Sequence, residues 1–260
     1  MASGRGIKLP ESNFNTLLVG SPGVGKSTLA KALAHKLKLE MPTNKKLSTY
    51  FVKPANLIGE YRGHTQKNMQ KLLDHASDGI VIFDEIDTYL DLDSDDRMIL
   101  NVLNTHLGDK PNHPIVIGTL YNRNLQRFLS FNQGLQSRFR NTIPIASQDS
   151  VTLKNIFKEM MKEANLEYDT NVPKAFENII DRRRKSQGNN FGHIRETENI
   201  LSEIIDNMAI RYEQETEDYD FKVQTTDLPQ SNIRKRKTDR PPEKTEKIVA
   251  FSPSPNTESE

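Results

Sequence analysis

Gly20-Ser21-Pro22-Gly23-Val24-Gly25-Lys26-Ser27 is a stretch suited to holding phosphate. It matches the pattern G-x-x-x-x-G-K-[ST] in full, with an apolar run, Leu17-Leu18-Val19, before it and a helical spacing of Leu29, Leu33 and Leu37 after it. Glycines let the backbone turn so that successive N–H groups face one concavity. The start of the following helix adds partial positive charge at the same place. In such a loop Lys26 reaches the β- and γ-phosphates and the Ser27 hydroxyl ligates Mg²⁺. The candidate nucleotide-binding residues are therefore Gly20, Ser21, Pro22, Gly23, Val24, Gly25, Lys26, Ser27 and Thr28. A second chemical element lies downstream, where the apolar run Ile80-Val81-Ile82-Phe83 ends in Asp84-Glu85. Carboxylates are rarely buried without a partner, so two of them closing a core strand point to chemistry. Asp84 suits orienting Mg²⁺ through its water shell, and Glu85 suits polarising the water that attacks the γ-phosphorus.

Other residues of reactive type lack the spacing their chemistry needs. An EF-hand loop starting at Asp91 requires Gly at its sixth place and Glu at its twelfth, but those places hold Asp96 and Val102. The acidic stretch through Asp87, Asp91, Asp93, Asp95 and Asp96 reads instead as a solvated loop with a helix cap at Ser94. His64, His75, His106, His113 and His193 show no metal-ligand spacing. The expected metal is the Mg²⁺ of the nucleotide and no other.

Positioning such groups requires a sheet. Short apolar runs alternate with helical patterns from Thr16 to Ile145, as in a parallel α/β sheet. The expected strands are Thr16–Val19, Ser48–Val52, Gly79–Phe83, Pro114–Thr119 and Thr142–Ile145, with helices at Lys26–Leu37, Thr65–Ala76 and Arg97–Leu107. Runs that do not alternate with polar residues, such as Ile115-Val116-Ile117, suit strands covered on both faces. After Ser147 the pattern becomes helical, over Val151–Ala164, Val172–Arg184 and Phe191–Arg211, with a short extended stretch at Phe221–Val223. The fold class is thus a P-loop parallel sheet flanked by helices, followed by a small helical domain. The expected divisions are an N-terminal extension over 1–15, a nucleotide-binding domain over 16–147, a helical lid over 148–230 and a disordered tail over 231–260.

Composition narrows the class. The 260 residues include no cysteine, which removes disulfides, Cys-ligated zinc, iron–sulfur clusters and thiol nucleophiles. Lys plus Arg number 36 against 35 Asp plus Glu, so bulk charge makes no case for nucleic acid or an anionic membrane. No apolar run approaches the ~18–20 residues that cross a bilayer, and the N-terminus has no hydrophobic signal core. A cytoplasmic protein is expected. The tail from Ser231 to Glu260 holds four prolines, seven Lys/Arg and five Asp/Glu, a composition that cannot bury enough surface to order itself. Its basic cluster, Arg234-Lys235-Arg236-Lys237, reads as a solvating tail or a nucleic-acid contact.

Three segments together carry a family likeness: Lys53-Pro-Ala-Asn-Leu-Ile-Gly-Glu-Tyr-Arg-Gly-His-Thr65, Gly79-Ile-Val-Ile-Phe-Asp-Glu-Ile-Asp87 and Asn132-Gln-Gly-Leu-Gln-Ser-Arg-Phe139. In this order they resemble the AAA+ ATPases, and within them the branch holding stage V sporulation protein K and the red-type rubisco activase. The resemblance covers Thr16 to Leu228. It implies ATP as the nucleotide and a hexameric ring of identical subunits. It also implies that Tyr61, with Arg62 beside it, is the substrate-gripping aromatic of a pore loop. An aromatic between glycines offers a wide amphipathic surface on a loop. Ser137-Arg138-Phe139 is similar to the box that offers an arginine finger to the neighbouring subunit, with Arg140 a nearby competitor. A guanidinium keeps its charge and spreads it over several donors. Asn190-Phe191-Gly192-His193-Ile194-Arg195 looks like the start of the lid helix with Arg195 as the sensor 2 residue. For sensor 1 the resemblance points to Asn122, with Thr119 and Tyr121 as alternatives. Two departures stand out: only nineteen residues precede Gly20, where relatives carry a longer segment that helps cradle adenine, and Glu198 stands where relatives often show a second lid arginine.

The function expected is Mg-ATP hydrolysis by a ring that remodels a protein substrate. The alternative is an ATP-controlled nucleic-acid protein using Arg182-Arg183-Arg184-Lys185 and the tail, against which stands the near-neutral charge of the globular part, 29 positive to 30 negative. A nucleotide-dependent switch with little turnover is a third option, and the intact Asp84-Glu85 pair argues against it.

Overall fold

The computed structural model describes residues 14–40, 47–59, 61, 63–109, 113–214 and 221–229. The tail expected at 231–260, most of the N-terminal extension, Glu60 and Arg62 lie outside them. The described residues fall into two compact units, one formed by 14–19 and 26–144, the other by 20–25 with the helical region from 145 onward.

In the first unit the strands β1 (Thr16–Gly20), β2 (Thr49–Val52), β3 (Ile80–Phe83), β4 (Ile115–Leu120) and β5 (Asn141–Ile145) lie in the order β2-β3-β4-β1-β5. The pairs β2–β3, β3–β4 and β1–β4 are parallel. Every residue of β3 is fully buried, as its unbroken Ile-Val-Ile-Phe run requires of a central strand. The edge strand β5 is exposed along most of its length, and its Pro144 is tolerable there because no ladder bond is demanded on the open side. Between the strands run α1 (Lys26–Glu40), α2 (His64–His75) and α3 (Ile99–Asp109). Two short helices lie before β5, α4 (Leu125–Phe131) and α5 (Gln133–Arg138), where the apolar spacing marks no helix. Asn132 separates them: it is extended, and its side chain caps α5 by accepting from the Gly134 N–H at 2.9 Å.

The second unit holds α6 (Ser150–Glu163), α7 (Val172–Gln187) and α8 (Ile194–Gln214) around Leu153, Phe157, Phe176, Ile180, Ile200 and Ile204. Phe157 stacks on Phe176 with ring centroids 4.2 Å apart. Asp149 caps α6 through Thr152, and the Thr152 N–H holds this carboxyl below the ordinary carboxylate range. α8 starts at Ile194, three residues later than the spacing implies, because His193 sits at φ 45, a left-handed conformation that no α-helix accommodates. The extended stretch near Val223 pairs in a single parallel bridge with Tyr168.

Candidate nucleotide site

In the sheet unit the parallel register decides who meets whom. Phe83 is opposite Gly118, so Asp84, the first residue past β3, comes beside Thr119 of β4. Asp84 Oδ1 accepts two hydroxyl hydrogen bonds, from Ser27 at 2.6 Å and from Thr119 at 2.7 Å. Its own N–H donates to the Val52 carbonyl. Asp84 is thereby tied through its carboxylate to α1 and β4 and through its backbone to β2, three elements far apart in the chain. Lys26, at the start of α1, is only 7% exposed, so its ammonium is held within the unit.

Glu85 occupies a strained place. Its φ of 56 and ψ of 50 put a non-glycine residue in the left-handed region, where it precedes a 3-10 turn over Ile86–Asp91. Its N–H donates to Thr119 Oγ1 at 2.9 Å, and its Oε1 accepts from the Tyr121 hydroxyl at 2.7 Å. Such strain persists when the surroundings over-determine it, and it clusters at functional sites.

The loop 20–25 joins β1 to α1 and packs within the other unit. Gly23 (φ 71) and Gly25 (φ 92) are both left-handed, the conformation that glycine alone adopts without cost. The Gly23 carbonyl accepts from the Ile194 N–H at 2.9 Å. Arg195, in the first turn of α8, is exposed, and its N–H donates to the Gly192 carbonyl. His193, 8% exposed, packs edge-on to Phe191. Burial, with the charge of Arg184 nearby, pushes its pKa below 6.5, against a raising hydrogen bond with the Gln148 backbone.

The remaining sequence candidates scatter. Asn122 lies exposed at the head of a 3-10 turn, and it is the alternatives, Thr119 and Tyr121, whose hydroxyls reach Asp84 and Glu85. Arg138 ends α5, half-buried, with Nη1 donating to Ser137 Oγ at 2.8 Å and the guanidinium against Gly108 of α3. Arg140 is exposed. Tyr61 is 68% exposed and lies edge-on to His64, while Gly59 N–H donates to Thr65 Oγ1 and so anchors the loop to α2. Of the basic run, Arg183 pairs with Glu196 and Glu203, and Arg184 donates to the Gln148 carbonyl and lies over the Phe191 ring. Asp87, which the sequence places both in a solvated acidic stretch and at the end of the Gly79–Asp87 segment, is buried, 1% exposed. It holds the chain after β4, accepting from the Tyr121 N–H at 3.1 Å and from Asn124 at 2.7 Å. Its position two residues past Glu85, in a run otherwise apolar at Ile86 and Tyr89, is the available signal.

The donor set suits Mg²⁺ held jointly with phosphate. Ser27 Oγ and Asp84 converge as hard oxygen ligands. Among the described residues no cluster of three His, Asp or Glu could hold a metal unaided.

Comparison with known proteins places these features in a family. The profile of the ATPases associated with various cellular activities (AAA) matches residues 16–147, and that of the AAA lid domain matches 149–238. Stage V sporulation protein K of Bacillus subtilis is 32% identical over 161 residues, covering 61% of this chain and 50% of that protein. The ESX-5 secretion system protein EccA5 of Mycobacterium tuberculosis is 24% identical over 251 residues, 89% of this chain and 40% of its own. The chain thus spans half or less of the length of these curated relatives. In fold it is similar to the AAA domain of FIGL-1 crystallised with ADP, at a TM-score of 0.58 and 18% identity over 84% of this chain and 70% of that one.

Proposed function

The chain belongs to the AAA family of ATPases, and on that footing we propose that it is a Mg-ATP-driven remodeller of protein substrates, working in the cytoplasm as a homo-oligomeric ring. The observation that carries the catalytic half of this reading is the pair of carboxylates at the end of β3, each held by a hydroxyl from beyond its own strand. Lys26 and the backbone of residues 20–27 would hold the phosphates. Ser27 and Asp84 would hold Mg²⁺, which when bound offsets phosphate charge. Glu85 would take the proton from water as its oxygen bonds to the γ-phosphorus; the bond from that phosphorus to the bridging oxygen breaks, and ADP and phosphate leave. Arg138 would act on the nucleotide of the next subunit, Arg195 from the lid as sensor 2, and Asn122 as sensor 1 from the turn after β4. Tyr61 and Arg62 would grip the substrate.

The exposure of Tyr61 supports the remodelling half. Against the nucleic-acid alternative, Arg182, Arg183 and Arg184 of the basic run on α7 are all engaged inside their own unit. No helix among the described residues is long and apolar enough to cross a membrane. The test is Glu85→Gln. ATP binding should persist while turnover falls about 10²–10⁴-fold, the worth of a general base. Turnover like the parent's overturns the mechanism.

A further inference from the structure

Tyr121 meets two charged groups at once. Its hydroxyl donates to Glu85 Oε1 at 2.7 Å. Its ring lies under Lys26 Nζ, 4.4 Å from the centroid, well inside the ~6 Å reach of a cation–π contact. Arg123 stands at the same ring, at 5.8 Å. The backbone beneath is tied down: Asp87, two residues past Glu85 and 1% exposed, accepts from the Tyr121 N–H and from Asn124. The turn that carries Glu85 therefore fixes the backbone of the residue whose side chain returns to Glu85. One aromatic residue thus spans the ammonium expected on the phosphates and the carboxylate expected on the water.

We propose that Tyr121 is a positioning residue with two separable duties: its hydroxyl aims the Glu85 carboxylate, and its ring face places the Lys26 ammonium. The inference rests on the reading of Glu85 as the base. The two duties belong to different atoms of one side chain, so two substitutions divide them. Tyr121→Phe keeps the ring and loses the hydroxyl. Tyr121→Leu loses both.

The experiment measures steady-state ATP hydrolysis and the Kd of a fluorescent ATP analogue for the full chain and both variants, with a thermal melt of each. Tyr121→Phe should leave KM and Kd within about twofold while kcat falls roughly 10–100-fold, the worth of a hydrogen bond to a charged group. Tyr121→Leu should lose kcat as well and shift Kd more than about threefold, the effect of removing a partly buried cation–π contact. A tyrosine that only props up the turn would lower the melting temperature and move kcat and KM together. A parent-like kcat in Tyr121→Phe overturns the proposal, as does a Kd equal in the Phe and Leu variants. Should the Leu variant not fold, kcat of the Phe variant still decides. Glu85→Gln run alongside separates the two failures. If it turns over like the parent, the base assignment falls and the role of Tyr121 with it. If it is inactive while Tyr121→Phe is not impaired, only the role of Tyr121 falls.

Discussion

Gly23 sits at φ 71 with its Cα turned toward Gly192, where an added Cβ would lie 1.9 Å from the Gly192 carbonyl oxygen. Backbone cannot yield as a flexible side chain can. Gly63, at φ 79, has nothing within 4 Å of the same hypothetical atom. The two positions therefore share the left-handed cost, about 1–2 kcal/mol for a residue with a Cβ, and only Gly23 adds a collision. Gly23→Ala should lower the melting temperature more than Gly63→Ala does, and should weaken ATP binding by roughly tenfold or more, as 1.4 kcal/mol corresponds to tenfold. Equal melting temperatures for the two variants, with unchanged nucleotide affinity, would show the loop to be more yielding than its geometry implies. The glycines of this loop were legible in the sequence because their need is local, a matter of φ at each residue. The partner of Glu85 was not. Thr119 and Tyr121 stand 34 and 36 residues from it, and the family likeness offered them only as alternatives to Asn122 without saying which carboxylate either would meet.

The start of α8 joins packing to titration. His193 is held in a left-handed turn ahead of the helix, against Phe191, with Arg184 of α7 and the Gln148 backbone as its polar surroundings. Its pKa is lowered in the folded protein from 6.5 by burial and by Arg184. A depressed base binds its proton less readily folded than unfolded, so the sign is definite. Its effect is absent above the unfolded pKa. As pH falls through 6.5 the unfolded chain protonates first and stability is lost, until the folded pKa is passed. Melting temperatures between pH 7.5 and 5 should therefore fall less steeply for His193→Asn than for the parent. Identical slopes would show that the imidazole accepts its proton freely in the fold. The amphipathic lid helices themselves were readable from apolar spacing, because each is longer than three turns. α4 and α5, of 7 and 6 residues, were not, since so few positions cannot establish a helical period. Only the cap at Asn132 and the packing around it define them.

Assembly raises the question of what Arg138 does. In the chain its guanidinium rests on Ser137 and Gly108, and its proposed role lies on a neighbour's nucleotide. Arg138→Ala alone should cut hydrolysis by about 10³-fold or more if it is an arginine finger. Glu85→Gln alone should be equally silent. Mixed in equal amounts, the two variants should regain activity, because some interfaces then pair an intact Glu85 with an intact Arg138. Random closure of a ring puts that share at about a quarter of the interfaces. A mixture as inactive as its components would mean that each site is complete within one subunit. Parent-like turnover of Arg138→Ala would remove the finger altogether.

Local chemistry and period announced the phosphate loop, the acid pair and the succession of sheet and helical region. Each of these follows from neighbouring residues: the φ freedom of glycine, the cost of burying a carboxylate, and the repeat of apolar positions. Nothing local says which residue stands beside Asp84 or Glu85. That depends on β3 and β4 aligning Phe83 with Gly118, and on Asp87 pinning the chain as it leaves β4. Parallel pairing is settled by the burial of whole strands between packed layers, so the contacts at their ends exist only once the chain has folded.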